Sequence, residues 1–175
     1  VFGCGGVGLN IVQGARMAGA TTIIAVDVTQ EKLDLAKKVG ATHVINGATS
    51  DPVAMVKEIC GGVDYAFEAL GRESTIQQAW GTVGVDGTLI LVGLMKNGAT
   101  ITLDAGPFVN EQSIKGCYFG SANLRKDVPA LVKSYLNGEL FLDELISERI
   151  GLEGLNSAFD RLRAGEGARN VLVFD

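Results

Sequence analysis

Apolar and polar residues alternate along the chain in segments that have the lengths of strands and helices. Apolar residues recur at helical spacing over residues 7–18, which predicts a helix there. Residues 21–26 are mainly β-branched and apolar, as is typical of a strand buried inside a parallel sheet. The same alternation predicts further elements: strands over 43–45, 63–67, 88–92, 99–103 and 114–119, and helices capped by Thr29, starting at Asp51-Pro52 and spanning 73–82. This order predicts an α/β fold with helices on both faces of a parallel sheet.

The pattern changes after residue 119. Amphipathic helices are predicted over residues 127–136 and 152–162, with an extended segment between them at 145–150. A short strand over 170–174 ends the chain. We therefore expect one α/β domain in residues 1–119 and a helical and extended appendage in residues 120–175.

Composition narrows the class of partner. The formal net charge is −5 and no basic run is present, so a nucleic-acid partner is not expected. No apolar run approaches the roughly 18 residues of a membrane-spanning helix, so no membrane partner is expected either. The three cysteines, Cys4, Cys60 and Cys117, form neither a disulfide framework nor a CxxC pair, which favours a reducing, cytoplasmic location.

The chain opens on a glycine-rich segment that fits the pattern GxGxxG: Gly3-Cys4-Gly5-Gly6-Val7-Gly8. The first glycine allows a tight turn out of a strand, the second lets a pyrophosphate approach the backbone, and the third lets the helix pack closely on the sheet. The amides of Gly6 and Val7 then lie at a helix N-terminus, where unpaired donors and the macrodipole favour an anion. Because a strand should precede such a loop, we expect a piece of a longer protein whose first strand is truncated.

Asp27 is the acidic residue that such a loop requires. It ends the second predicted strand, about twenty residues beyond the last glycine, where a carboxylate accepts hydrogen bonds from the adenosine ribose. Taken alone, Asp27 is equally well interpreted as a helix cap or turn residue, but together with the loop it indicates dinucleotide binding. Its charge would repel a 2′-phosphate, so NAD is favoured over NADP. The expected fold is a doubly wound parallel sheet of the Rossmann type, strand order 3-2-1-4-5-6, with residues 1–119 as the dinucleotide-binding domain.

From these residues outward the chain resembles the medium-chain, zinc-containing alcohol dehydrogenases, and it looks closest to their glutathione- or mycothiol-linked class. The resemblance covers all 175 residues but only the C-terminal half of the family. It is carried by five stretches in a fixed order: GCGGVGL at 3–9, IAVD at 24–27, VGAT at 39–42, GVDYAFE at 62–68 and GEGAR at 165–169. In this order they are far more specific than the glycine loop alone.

The resemblance implies further contacts with the cofactor. Lys32, which would otherwise be interpreted as a solvated helix lysine, corresponds to a lysine that reaches the same ribose. Arg169, otherwise a surface charge, corresponds to an arginine near the pyrophosphate. The nicotinamide end is expected to be held by a set of backbone positions: Val92, Gly93, Leu94, Cys117 and Phe119.

The resemblance also implies an activity, hydride transfer between an alcohol or thiol adduct and NAD, with a small-molecule alcohol or aldehyde as substrate. The family holds its zinc ions in the other half, so zinc is expected in the parent enzyme only. The single histidine and three scattered cysteines of this chain offer no ligand set, and we expect no catalytic residue and no activity in this chain alone. Residues 120–175 would pack on the absent half.

A homodimer or homotetramer is implied as well. The alternating segment 99–103 is interpreted as a strand at an exposed sheet edge, where a second copy of the chain would pair.

Other functions fit parts of the pattern. A non-catalytic NAD(H)-binding sensor or regulatory module would carry the same loop and Asp27, and it stays an alternative to the enzyme. A methyltransferase fits poorly, because its loop usually has the spacing GxGxG. Structural roles are favoured over a redox role for Cys4 and over a general-base role for His43. Asp64 and Glu68 bracket a predicted strand, but nothing converges on them and no acid–base pair is assigned.

Overall fold

A computed structural model describes residues 1–174 of the chain. The chain divides into two compact units, Val1–Asn123 and a second that begins at Leu124. Each unit is described by itself below.

The first unit is built on parallel strands. They are β1 (Ile24–Asp27), β2 (His43–Asn46), β3 (Val63–Glu68), β4 (Val83–Leu91) and β5 (Ser113–Gly116). Strand β1 pairs with β2, β3 with β4, and β4 with β5, and every pair is parallel. The expected parallel α/β class is confirmed.

Residues 1–3 connect β1 to β3. Phe2 forms parallel bridges with Val26 on one side and with Glu68 on the other. The Phe2 amide donates to the Phe67 carbonyl at 2.7 Å, and the Gly3 amide donates to the Val26 carbonyl at 2.8 Å. The spatial order of these segments is therefore β2, β1, Phe2, β3, β4 and β5, with Phe2 between β1 and β3. The six-strand order 3-2-1-4-5-6 stays a prediction, since Phe2 alone stands at the place of its first strand.

Four helices belong to the first unit: α1 (Gly6–Met17), α2 (Gln30–Val39), α3 (Pro52–Cys60) and α4 (Glu73–Thr82). The α3 N-terminus follows from local chemistry, because the Asp51 carboxylate accepts from the Val53 amide at 2.9 Å and Pro52 has no amide to satisfy. Residues from the strands and from α4 form one buried apolar cluster, whose burial stabilises this unit: Phe2, Ile24, Val26, Ile45, Ala66, Leu89, Ile76, Ala79 and Trp80.

Residues 99–103 are not a strand, which corrects the expectation of an exposed sheet edge at this position. The Thr102 carbonyl accepts from Gln77 Nε2 at 2.9 Å, and the Asp104 carbonyl accepts from Trp80 Nε1 at 3.0 Å. Ile101 and Leu103 pack against the apolar cluster. The segment is thus an extended coil held by side chains of α4. Its alternation of apolar and polar residues arises from one-sided packing and not from strand pairing.

The strand expected over 114–119 is also shorter than predicted. Strand β5 ends at Gly116, and a 3-10 turn occupies Phe119–Ser121. Phe119 and Ser121 have φ values of 51° and 52°, in the left-handed region, which a continuing strand does not allow.

The second unit contains α5 (Leu124–Leu136), β6 (Ile146–Ile150), α6 (Leu155–Arg163) and β7 (Arg169–Leu172). Strands β6 and β7 pair in parallel. All four elements lie within a few residues of their predicted places, although a 3-10 turn, Leu152–Gly154, precedes α6. Within residues 1–174, no helix combines the length and the apolar character that a membrane crossing requires.

Two glycines of α1 allow a matched test of this packing. A β-carbon on Gly8 would lie 1.7 Å from the Gly3 carbonyl oxygen, whereas one on Gly14 would meet no atom within 4 Å. We expect Gly8→Ala to lower the free energy of unfolding by about 2 kcal/mol or more, because α1 must move off the strand end. Gly14→Ala is expected to raise it by up to about 1 kcal/mol, through helix propensity. Urea unfolding of both variants measures the difference, and equal effects would contradict the close contact.

Candidate functional site

The glycine loop is crowded on its inner side and open on its outer side. Gly3 has a φ of +92°, and a β-carbon there would lie 2.7 Å from Leu70 Cγ. Gly8 touches the Gly3 carbonyl, as described above. By contrast, a β-carbon on Gly5 would meet nothing within 4 Å. The first and third glycines are therefore required by the fold, whereas the second faces open space.

Helix α1 begins at Gly6, directly after the open position of Gly5. Its N-cap, Gly5, offers no side-chain acceptor, and the first turn contains no acidic residue. The first amides of an α-helix lack partners within the helix, and the aligned peptide dipoles make this end positive. The start of α1 therefore provides donors and partial positive charge that no residue of its first turn compensates, which suits an anionic group.

The Asp27 side chain joins the loop to β1. Its carboxylate is nearly buried, with 9% exposed. Oδ2 accepts from the Cys4 amide at 2.7 Å, and Oδ1 accepts from the Thr29 amide at 3.0 Å. Asp27 is thus a turn residue that also contacts the loop, and its contact with a ribose stays a prediction. Each carboxylate oxygen retains a further acceptor site beside these bonds.

Thr29 occupies the N-cap of α2, as predicted, but its side chain forms no capping hydrogen bond. The turn into α2 is instead held by Asp27. Lys32 lies in the first turns of this helix and is half-buried. Its charge acts on the Cys4 thiol, so the two groups lie within electrostatic range of each other.

The Cys4 thiol is protonated at neutral pH. Burial, and next the negative charge of Asp27, raise its pKa to about 12. Its Sγ lies 3.7 Å from the Val26 carbonyl oxygen, inside the loop. A reactive cysteine needs a lowered pKa and access to solvent, so this environment favours the structural role for Cys4.

The carboxyl ends of β3, β4 and β5 are linked by backbone hydrogen bonds. The amides of Val92 and Gly93 donate to the Glu68 carbonyl at 2.9 and 2.8 Å. The Cys117 amide donates to the Leu91 carbonyl at 2.9 Å. Beyond these bonds the chain is open to solvent, since the side chains of Leu94 and Phe119 are 95% and 73% exposed.

Glu68 is the residue that sequence reasoning missed. Its side chain is fully buried, yet both oxygens accept hydrogen bonds from the turn that follows β3. The only signal in the sequence is a single acidic residue at the end of an apolar strand. The sequence offers it only as one member of an acid–base pair, and no such pair forms. Its partners in the turn are backbone amides, which no spacing of side chains in the sequence indicates.

Arg169 belongs to the second unit, at the start of β7, with an exposed side chain and its amide 3.4 Å from Ser147 Oγ. Its contact with the pyrophosphate stays a prediction. In the part of the chain that the structure describes, no three His, Cys, Asp or Glu residues are grouped to hold a metal ion. The residues present here do not fit a zinc ion.

The chain matches the family of zinc-binding dehydrogenases over residues 6–137. It is 36% identical to S-(hydroxymethyl)glutathione dehydrogenase of Paracoccus denitrificans, over 99% of this chain and 49% of that protein. It is 37% identical to alcohol dehydrogenase class-3 of Oryza sativa subsp. japonica, over 100% of this chain and 47% of that protein. The crystal structure of benzyl alcohol dehydrogenase from Acinetobacter calcoaceticus superposes with a TM-score of 0.95 at 35% identity, over 99% of this chain and 48% of that one.

The chain thus spans about half the length of the relatives it matches. The family match includes α1 and all strands of the first unit from β1 onward. It therefore includes Asp27 and the turn that contains Glu68. This chain belongs to the zinc-binding dehydrogenase family.

Proposed function

We propose that this chain is the NAD-binding half of a zinc-dependent alcohol dehydrogenase. One observation carries the proposal: an uncompensated helix N-terminus, α1, opens beside Gly5 while the buried Asp27 carboxylate ends the adjacent strand. The pyrophosphate of a dinucleotide and its adenosine ribose require these two features side by side. The names of the relatives support the dehydrogenase activity.

The loop and β1 hold the adenosine half of the cofactor. The amides of Gly6 and Val7 donate to the pyrophosphate, which approaches across the open face of Gly5. Asp27 accepts from the ribose hydroxyls with the acceptor sites that Cys4 and Thr29 leave free. Lys32 approaches the same ribose from α2.

The carboxyl ends of β4 and β5 orient the nicotinamide half. Its carboxamide is held by backbone groups at five positions: Val92, Gly93, Leu94, Cys117 and Phe119. The Cys117 amide is already bonded to Leu91, so this position offers its carbonyl. When bound, NAD supplies a nicotinamide ring that accepts a hydride. This chain binds and orients that ring, and Arg169 adds a positive charge near the pyrophosphate.

The remainder of the enzyme supplies what this chain lacks. Zinc and the pocket for a small alcohol, aldehyde or thiol adduct belong to the other half, against which residues 120–175 pack. The assembly is a homodimer or homotetramer, although not through a strand at 99–103. Three free cysteines support a cytoplasmic location. Family membership favours the enzyme over a non-catalytic NAD(H) sensor.

The open face at Gly5 provides the test of the phosphate site. Gly5→Val places a branched side chain where the pyrophosphate must approach, so we expect NADH affinity to fall at least about a hundredfold. Because nothing surrounds that β-carbon, the melting temperature is expected to change little. Gly14→Val is the control, with the same change at an equally open position inside α1, away from the loop. Fluorescence titration with NADH measures both, and normal binding by Gly5→Val would mean that the phosphate site is elsewhere.

Asp27 is expected to set the choice of cofactor. NADH is expected to bind at least about tenfold more tightly than NADPH, a difference of about 1.4 kcal/mol. Asp27→Ala removes the ribose acceptor and the repelling charge, so the preference falls, chiefly through weaker NADH binding. Asp34→Ala, which removes an exposed carboxylate from α2, is the control. Equal affinities of the unmodified protein for NADH and NADPH would contradict the role of Asp27.

Metal analysis and an activity assay test which half of the enzyme holds the zinc. The 175-residue chain is expected to bind NADH, to hold no stoichiometric zinc and to oxidise no simple alcohol, because its Cys and His residues form no ligand set. The full-length protein is expected to bind NADH, to hold zinc and to oxidise simple alcohols. Metal content of both purified proteins and NADH absorbance with simple alcohols distinguish the two halves. Zinc and turnover in the shorter chain would overturn this assignment.

A further inference from the structure

The Glu68 side chain is completely buried, and its carboxylate accepts hydrogen bonds from three donors. Oε1 accepts from the Leu70 amide at 3.0 Å and from Thr75 Oγ1 at 2.7 Å, and both oxygens lie 3.0 Å from the Gly71 nitrogen. None of the ion pairs among residues 1–174 includes Glu68. Among residues 1–174 the carboxylate therefore accepts hydrogen bonds from the backbone of the turn 69–71 and, through the Thr75 hydroxyl, from the first turn of α4.

The turn that Glu68 holds lies directly against the segment 92–94. A β-carbon on Gly93 would lie 2.1 Å from the Gly71 nitrogen and 2.7 Å from Glu68 Oε2. A β-carbon on Gly71 would lie 2.3 Å from the Leu94 carbonyl oxygen. The Glu68 carbonyl accepts from the amides at 92 and 93 at the same time. One residue thus holds the turn 69–71 with its side chain and the segment 92–94 with its backbone.

The glycine loop has two anchors of its own that do not involve the Glu68 carboxylate. Its entry is held by the bond from the Gly3 amide to Val26, and its second residue by the bond from the Cys4 amide to Asp27. The turn 69–71 meets the entry of the loop through the Ala69 amide, which donates to the Phe2 carbonyl at 2.9 Å, and through the Leu70 side chain, which lies beside Gly3. A change at Glu68 Oε1 and Oε2 therefore acts first on the turn 69–71 and on the segment 92–94.

We propose that Glu68 is a positioning residue for the nicotinamide half of the cofactor: its buried carboxylate sets the turn at 69–71, and through the contact between Gly71 and Gly93 that turn sets the backbone of the segment 92–94. This inference rests on the proposed function, which assigns that segment to the nicotinamide. Glu68 contacts no reacting atom in this scheme. It fixes the place at which the nicotinamide is bound, and it leaves the phosphate and adenosine contacts unchanged.

The experiment compares NADH with ADP-ribose, which lacks the nicotinamide, on the full-length protein. In Glu68→Gln an amide group faces the Gly71 amide, so one acceptor becomes a donor. We expect NADH affinity to fall about tenfold while ADP-ribose affinity stays within about twofold. Thr75→Val removes only the hydroxyl donor at nearly constant volume, and we expect a smaller loss in the same direction. Glu73→Gln, an exposed carboxylate on the same helix, is the control and is expected to change neither affinity.

Selective loss of NADH affinity supports the proposal, and a shift in the emission of bound NADH in the same variants supports it further. Equal losses for the two ligands, or unchanged NADH binding, overturn it. If Glu68→Gln does not fold, the same comparison in Thr75→Val decides between these outcomes. If the unmodified protein binds neither ligand, the proposed function fails, and this inference fails with it.

Discussion

The glycine loop depends on the contact between Gly8 and the carbonyl oxygen of Gly3. Because no β-carbon fits between them, α1 approaches the end of the central backbone segment more closely than any other residue would allow. The loop that leads into α1 contacts the Asp27 carboxylate at the end of β1 through the Cys4 amide. The loop geometry thus results from two close contacts: Gly8 against the Gly3 carbonyl, and the Cys4 amide against the Asp27 carboxylate.

The same device occurs a second time, in the turn that follows β3. Gly71 and Gly93 touch where two turns meet, as Gly3 and Gly8 touch at the loop. In both places a buried carboxylate accepts from backbone amides of the crowded turn, Asp27 at the loop and Glu68 after β3. Glycine permits the approach, and the carboxylate stabilises the turn that results, because charge-assisted hydrogen bonds to amides are strong where water is excluded.

The two carboxylates differ in how many of their acceptor sites are already used by donors of the chain. Asp27 lies beside an open face and has only two donors in the structure, so a ribose hydroxyl can still reach it. Glu68 is enclosed and its oxygens already accept from two amides and a hydroxyl. Residues of the same charge at the ends of neighbouring segments are therefore proposed to contribute differently, Asp27 to binding a ligand and Glu68 to shaping the backbone that binds it.

Local signals were sufficient for the helices, the β1 and β3 strands and the loop with Asp27, because helical spacing, capping residues and the spacing of GxGxxG act over a few residues. The sequence could not distinguish a strand at 99–103 from a coil packed against α4, since both bury alternate side chains and the deciding bonds come from Gln77 and Trp80. Nor could it assign Glu68, whose effect on Gly93 depends on two turns that meet only after β3 and β4 have paired. The sequence by itself determined the helices, most of the strands and the glycine loop that they carry. The tertiary structure alone decided which turns touch, because contacts between distant segments leave no period or spacing in the chain.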